Sequence, residues 1–371
     1  MEIAPMLSRV EGLNVLLVNQ CNLHCLSCSY PSQQRLNRVR RETLRSVVEK
    51  LLPYGLSRVT LSGGEPTMHP EFCEIVEDLH DAGLEITLVT NGTYLRKHFE
   101  RIRNRLQRCI ISLDGDTPEL YQSIRGANAF DELMSAARLF LSRSRRTHMT
   151  FCAVVQRKNF RRLPRFIDLA REVGVHRFSF LCPDLPSLIE PGLRNSGAFG
   201  HDAPASPETL ESIILTLEEI EEMRAVTIPA VRRKVAEYPE YGNKTIDMLT
   251  DFANYFESFR LGKPRPEYRR CGLPFSEVVL DDEERLRFCF FMPDRWAYTP
   301  DIDPLNHAAA VRARRDYLES DRRCHEFCNA CLQAMRLPAD VVRPAAPPVG
   351  VPAFDPSVPD RALVRLTYER P

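Results

Sequence analysis

The sequence predicts an α/β protein, a partial (β/α)6 TIM-like barrel, followed by a small cysteine-rich segment. Two observations carry this prediction. Over residues 1–182, short apolar runs alternate with amphipathic helical stretches, the pattern of repeated strand–helix units. Farther on, five cysteines fall between Cys271 and Cys331, in a stretch with no comparable rhythm.

Strands are expected at Leu13–Asn19, Arg58–Leu61, Glu85–Thr90, Cys109–Leu113, His148–Val155 and His176–Leu181. Helices are expected around Glu42–Leu52, Pro70–Ala82, Tyr94–Arg105, Phe130–Ser142 and Arg161–Val173. Pro70 suits a first helical turn and Gly83 a C-terminal cap. In parallel α/β folds the chemistry gathers where the strands end, so candidate site residues are sought there. Residues 183–262 form the next unit: a Pro-, Gly-, Ser- and Asn-rich loop over Pro183–Pro207 suited to a lid, then helices from Pro207 to Arg224 and on to Phe259. Residues 263–337 hold the cysteine-rich unit, and 338–371 form a Pro-rich tail without a core of its own, apart from a weakly alternating Leu363–Tyr368.

Bulk properties exclude several classes. Fifty basic residues balance fifty acidic ones, so no global field draws the chain to nucleic acid or an anionic membrane. No apolar run reaches bilayer length and the start lacks a secretory layout, so a cytoplasmic location is expected. In that compartment twelve cysteines do not make a disulfide framework, and metal becomes the first explanation.

Cys21-Asn-Leu-His-Cys25-Leu-Ser-Cys28 directly follows the first strand. Three thiolates on one compact loop can hold three irons of a [4Fe–4S] cluster and leave the fourth open to a ligand that is not protein. The alternative is a structural zinc with His24 as fourth ligand; zinc sites usually draw on two ligand pairs, and only one tight set is present. Further on, Gly63-Gly64-Glu65-Pro66 ends the second strand, Thr90-Asn91-Gly92 the third and Ser112-Leu113-Asp114-Gly115 the fourth, with Ile124-Arg125-Gly126 after it. Gly63 and Gly64 would let backbone approach a ligand closely, Glu65 offers an acceptor for an ammonium group, and Arg125 offers a planar donor fork for a carboxylate.

With those motifs in order, the sequence resembles the radical S-adenosylmethionine (SAM) superfamily across residues 13–182. The resemblance implies a cluster on Cys21, Cys25 and Cys28, with SAM held by Gly63, Gly64, Glu65, Thr90, Asn91, Ser112 and Arg125 and walled by Val175. Relatives carry an aromatic residue just before the third cysteine; here it is Ser27, and Tyr30 offers ring surface nearby. His69 reads as a cap of the following helix rather than a ligand.

Cys271 and Cys289 flank a hairpin over Leu273–Phe288 with an acidic turn at Asp281–Glu284, and Cys328-Asn-Ala-Cys331 follows, preceded by Cys324. Zinc and iron–sulfur are both allowed by four thiolates. The arrangement resembles the twitch domain, the shorter relative of the SPASM domain, which implies an auxiliary [4Fe–4S] cluster on Cys271, Cys289, Cys328 and Cys331. The acidic run departs from that pattern, which usually has a glycine in the turn.

The activity so implied is reductive cleavage of SAM to a 5′-deoxyadenosyl radical, hydrogen abstraction from a substrate, and oxidation of a small metabolite with the auxiliary cluster as electron acceptor. The implied electron donor is a reductant protein such as flavodoxin or ferredoxin. A peptide-modifying maturase is the alternative, although the first strand starts too near residue 13 to leave room for an N-terminal leader-binding or cobalamin domain. Cys182, where the sixth strand ends, is a candidate hydrogen donor that would make the enzyme an epimerase. Outside enzymology, the alternative is a zinc-bearing scaffold.

Overall fold

The computed structural model describes residues 6–28, 30, 36–189, 205–262, 272–290 and 294–319. Six parallel strands lie side by side in chain order: β1 (Gly12–Val18), β2 (Arg58–Gly63), β3 (Glu85–Thr90), β4 (Arg108–Ser112), β5 (His148–Val154) and β6 (Arg177–Leu181). Between them run α1 (Arg41–Leu51), α2 (Phe72–Asp81), α3 (Leu95–Ile102), α4 (Pro118–Arg125), α5 (Phe130–Arg143) and α6 (Leu163–Val173). This is the partial (β/α)6 barrel that the alternation predicts.

The two faces of the sheet differ. Along β3, Ile86, Leu88 and Thr90 are buried whereas Glu85, Thr87 and Val89 are not; β4 and β6 repeat this with Cys109, Ile111, Phe178 and Phe180 on the buried side. Period-two alternation puts the first set under the helices and the second on an inner face that stays partly open. The helices supply matching apolar stripes. In α2, Phe72, Ile75, Val76 and Leu79 recur at helical spacing, and Gly83 (φ 76°) follows its last turn. Pro70 precedes the helix instead of entering its first turn, and His69 Nδ1 accepts the N–H of Glu71, the residue just before the helix, at 3.0 Å; no side chain caps the first turn itself.

Helix α4 was not expected, because eight residues are too few to show a helical period. Its signals are local: the Thr117 hydroxyl accepts the Leu120 N–H at 3.3 Å, Pro118 opens the first turn and Gly126 (φ 76°) closes the last.

After β6 come α7 (Leu185–Ile189), α8 (Pro207–Ile213), α9 (Leu217–Glu222), α10 (Ile228–Glu237), α11 (Lys244–Asp247) and α12 (Leu249–Arg260). The single helix expected over Pro207–Arg224 is two, since a Thr216–Glu219 capping box starts a new one. A π-helical turn over Met223–Thr227 then carries α9 into α10. Most of the expected lid lies outside the described residues.

The expected hairpin is present as β7 (Glu277–Leu280) and β8 (Arg285–Arg287), followed by β9 (Trp296–Ala297) and α13 (Ala308–Glu319). Its placement was not foreseen. Strand β7 pairs parallel with β1, on the side away from β2, so one sheet runs β6-β5-β4-β3-β2-β1-β7-β8-β9. Every residue of β1 is buried, and such a strand needs a neighbour on each edge. Within the acidic turn Glu284 takes the left-handed conformation (φ 57°) where a glycine is usual. Asp281 Oδ1 accepts the N–H groups of Glu283 and Arg285, and Arg40 grips the Glu284 carboxylate with its backbone N–H and guanidinium. Cys271, Cys324, Cys328, Cys331 and the tail from residue 338 lie outside the described residues.

Candidate functional site

The cysteine loop leaves β1 at the C-terminal edge of the sheet and is tied down on two sides by backbone. On one side Gly64 N–H donates to Val18 O and Glu65 N–H to Gln20 O, each at 2.7 Å. On the other, His24 N–H reaches Arg125 O and Leu26 N–H reaches Ile124 O, both at 3.0 Å. Those carbonyls belong to the last turn of α4, where helical partners run out, so the loop completes the helix and the helix holds the loop. The glycines make this fit possible. A Cβ on Gly64 would run into the Gln20 carbonyl, and one on Gly63 into that of Val18. Close approach at Gly63-Gly64 is therefore to the cysteine loop itself, where the sequence suggested a ligand.

Glu65 is fully buried, and its carboxylate is already engaged. Oε1 accepts Thr67 N–H at 3.1 Å, the Thr67 hydroxyl, and the Thr90 hydroxyl at 2.7 Å; Oε2 accepts Asn91 N–H at 2.7 Å. Burial raises its pKa, while the Thr67, Asn91 and Thr90 donors pull the other way. Glu65 thus splices the ends of β2 and β3. It does not reach outward to an ammonium group, as the sequence suggested.

Asn91 and Arg125 both turn toward sulfur. Asn91 Nδ2 bonds Asn22 Oδ1 at 2.8 Å and lies 3.9 Å from Cys21 Sγ, while its Oδ1 accepts both donors of Thr93. Arg125 Nη1 lies 3.6 Å from Cys25 Sγ, and its Nε pairs with Asp114 Oδ2 at 2.6 Å. Burial alone would lower the Arg125 pKa; the charges of Asp114 and of the nearby thiols and Tyr121 leave it raised instead. Asp114 is itself fixed by Val154 N–H at 2.7 Å.

Burial pushes the thiol of Cys21 up to about 11, that of Cys28 up to about 12, and raises Cys25 as well. Each of the three responds to at least one of the others' charges or to Arg125, so they share one neighbourhood. Metal ligation needs thiolates, so iron uptake here would release the thiol protons, and the side-chain N–H groups of Asn91 and Arg125 would then bond the charged sulfurs. Three sheltered sulfurs, two of them within reach of side-chain N–H groups, form a donor set that fits a [4Fe–4S] cluster with one open iron. Among the described residues no three His, Cys, Asp or Glu side chains are already gathered around one metal position, the three cysteines included, and His24, the fourth ligand of the zinc alternative, is exposed.

Comparison with protein families bears on this same segment: residues 15–170 match the model of the Radical SAM superfamily. The chain carries a radical SAM domain. Curated relatives include proteins named probable GTP 3',8-cyclase: that of Sulfurisphaera tokodaii is 28% identical over 169 residues, and that of Methanocaldococcus jannaschii 26% over 169. These alignments cover 45% and 44% of this chain and 54% and 56% of the relatives, so the chain spans about half their length. Among solved structures, anSMEcpe with bound AdoMet is similar at a TM-score of 0.57 and 18% identity, covering 88% of this chain and 93% of that one. SuiB of Streptococcus suis bound to precursor peptide SuiA scores 0.53 at 14% identity, covering 85% and 66%. At these identities the structures attest the shared fold.

The remaining expected residues of the radical SAM domain divide. Ser112 ends β4 on the inner face and has no side-chain hydrogen bond among the described residues, as a ligand contact requires. Thr90 is committed to Glu65 and to Gly92 N–H at 3.0 Å. Val175 is misplaced: it precedes β6 at the opposite edge of the sheet, buried, with its carbonyl accepting the Tyr241 hydroxyl at 2.9 Å. It cannot wall a ligand at the cysteine edge. Cys182 follows β6 at the correct edge, but packs against the hydrophobic core that also contains Phe178 and Phe180. Tyr30 is buried, and the charges of Asp282, Arg287 and Asp281 on the hairpin bear on its hydroxyl. Cys289, half-buried just beyond β8, is the described member of the second cysteine set.

Two residues beside the candidate site were not singled out by the sequence. Asp114 was taken only as part of a strand-end motif; its pairing with Arg125 joins residues eleven apart across α4. Cys152 lies on β5 opposite Ser112. The signal for Cys152 was its even spacing from His148 and Thr150, which puts it on the inner face once the strand is set.

Proposed function

We propose that this protein cleaves SAM reductively and uses the product radical to abstract a hydrogen atom from a bound substrate. The observation that carries this is the clamped three-thiol loop with Arg125 and Asn91 directed at two of its sulfurs. When bound, the cluster and SAM supply one-electron scission of the sulfonium bond and a 5′-deoxyadenosyl radical. The chain's own residues orient and shelter. An arginine carries several N–H donors; one on Nη1 reaches Cys25 and the Nε edge faces Asp114 as an ion pair, which leaves the far edge of the guanidinium for the SAM carboxylate. Ser112, without a side-chain hydrogen bond among the described residues, offers a hydroxyl at the end of β4, and Glu65 acts at one remove by holding Thr90 and Asn91 in place.

The finer proposal is net oxidation of a small metabolite, with a second [4Fe–4S] cluster on Cys271, Cys289, Cys328 and Cys331 as electron acceptor. Relatives named for GTP favour a small molecule. SuiB, solved with its precursor peptide, supports the peptide-modifying alternative. Electrons for the first cluster come from a reductant protein such as flavodoxin or ferredoxin.

The test is to replace Cys21, Cys25 and Cys28 together by Ala and supply SAM and dithionite anaerobically. The wild type should be brown and form 5′-deoxyadenosine; the variant should form none while keeping the iron of the second site. Equal 5′-deoxyadenosine from both proteins would refute the assignment. A colourless wild type holding only zinc would establish the scaffold alternative.

A further inference from the structure

One buried polar group beside the cysteine loop is left unused by the proposed chemistry. Tyr121 sits on α4, one helical turn before Arg125 and on the same face. Its side chain is wholly buried, and its hydroxyl has no hydrogen-bond partner among the described residues. Buried hydroxyls are ordinarily satisfied, so an unpartnered one beside a ligand loop points to an acceptor in that loop or on what it holds. The residue is firmly seated. A Cβ on Gly115 would meet the backbone N and Cα of Tyr121, so the glycine that closes the fourth strand-end motif lets α4 press against it. The ring packs edge-on to Phe130, with centroids 6.0 Å apart. The cysteine loop in turn lies along the last turn of α4, where the backbone hydrogen bonds of His24 and Leu26 bracket Cys25.

The charges that bear on the hydroxyl name its neighbours: Arg125 first, then Cys25, Asp114 and Glu65. Arg125 has only donors to offer. Both oxygens of Asp114 are taken, Oδ1 by Val154 N–H at 2.7 Å and Oδ2 by Arg125 Nε at 2.6 Å. Both oxygens of Glu65 are taken by Thr67, Thr90 and Asn91. Cys25 is the exception. Besides its own backbone N–H, Arg125 Nη1 at 3.6 Å is the one donor that reaches its sulfur among the described residues. A thiol needs little more, but a thiolate that ligates iron carries charge and accepts further hydrogen bonds. We propose that Tyr121 is the second side-chain donor to Cys25 Sγ, a positioning residue whose hydroxyl engages the sulfur when that cysteine ligates iron. A tyrosine hydroxyl ionises only at about pH 10 or above, so it stays a donor at neutral pH. Hydrogen bonds to ligating sulfur stabilise the reduced, more negative cluster, so this one raises the potential of the first cluster.

This inference rests on the cluster assigned under the proposed function, and the experiment separates the two. Reconstituted full-length wild type and Tyr121→Phe, which loses one oxygen and keeps the ring, undergo redox titration followed by EPR. The first cluster is the signal absent from the Cys21/Cys25/Cys28→Ala triple variant. Tyr121→Phe should hold as much iron as the wild type, and its reduction equilibrium at the first cluster should be less favourable by at least about threefold. After the iron is chelated away, the variant should melt no lower than the wild type, because the hydroxyl then has no partner to lose. A smaller shift in potential, or a lower melting temperature without iron, would overturn the donor alone. An unshifted potential with SAM affinity lowered in calorimetry would also overturn it, and would hand the hydroxyl to the SAM carboxylate. A wild type without the signal would overturn the cluster and this inference with it. A shifted potential in a protein that forms no 5′-deoxyadenosine would leave the donor standing and remove the cleavage.

Discussion

Arg125 Nη1 lies 3.6 Å from Cys25 Sγ while its Nε holds Asp114 at 2.6 Å, so one guanidinium joins a candidate iron ligand to a buried carboxylate. Removing the arginine strands that carboxylate. Arg125→Ala should cost about 3–5 kcal/mol of stability, the penalty for leaving a buried charge unpaired. Arg125→Ala/Asp114→Asn should recover part of it in thermal unfolding. SAM affinity by calorimetry should fall at least tenfold, since a charge-assisted hydrogen bond contributes about 1.5–3 kcal/mol. Wild-type affinity in a folded single variant would remove Arg125 from the SAM site.

Gly64 allows the cysteine loop to lie against the end of β2. Gly64→Ala sets a methyl group against the carbonyl groups of Gln20 and Asn19, hydrogen-bonded backbone that cannot yield like a side chain. Overpacking of this kind costs about 1–3 kcal/mol. The melting temperature should drop, and iron bound after reconstitution should fall by about one cluster. A variant with full iron content would show that the loop tolerates displacement.

Asp282 makes stability depend on pH. It is 3% exposed on the hairpin, beside the carboxylates of Asp281 and Glu283 and the Asn37 side chain, with the Tyr30 hydroxyl and, paired to Asp281, Arg287 close by. Burial first, then Asp281, raise its pKa from 3.8 to about 7. Between those values the folded chain binds the proton that the unfolded chain has lost, so stability falls as pH rises from about 4 to about 7. Asp282→Asn should remove that slope. Denaturant melts should show the variant more stable by about 2–4 kcal/mol at pH 8, with the advantage gone near pH 4. Parallel profiles for the two proteins would place the titration elsewhere.

Cys289 tests the second cysteine set from its described member. Cys289→Ala should lower iron by about one cluster, because one missing thiolate of four weakens such a site. SAM cleavage should persist and uncouple from product. Unchanged iron would leave the second site without a cluster.

The sequence by itself determined the alternation that makes the barrel, the edge of the sheet where chemistry sits, and the three cysteines with their strand-end motifs. These are legible because they are local: a period of two or 3.6, a turn residue, a ligand spacing. Tertiary structure alone decided the partners. Glu65 looked like an outward acceptor until β3 brought Thr90 and Asn91 onto its carboxylate. Val175 looked like a wall until strand direction put it at the far edge, and Cys182, two residues beyond the core residue Phe180, packs against the core. The hairpin joined β1 across more than 260 residues. Which buried polar group meets which donor depends on distances between segments remote in the chain, and those are set by packing, which no local pattern encodes.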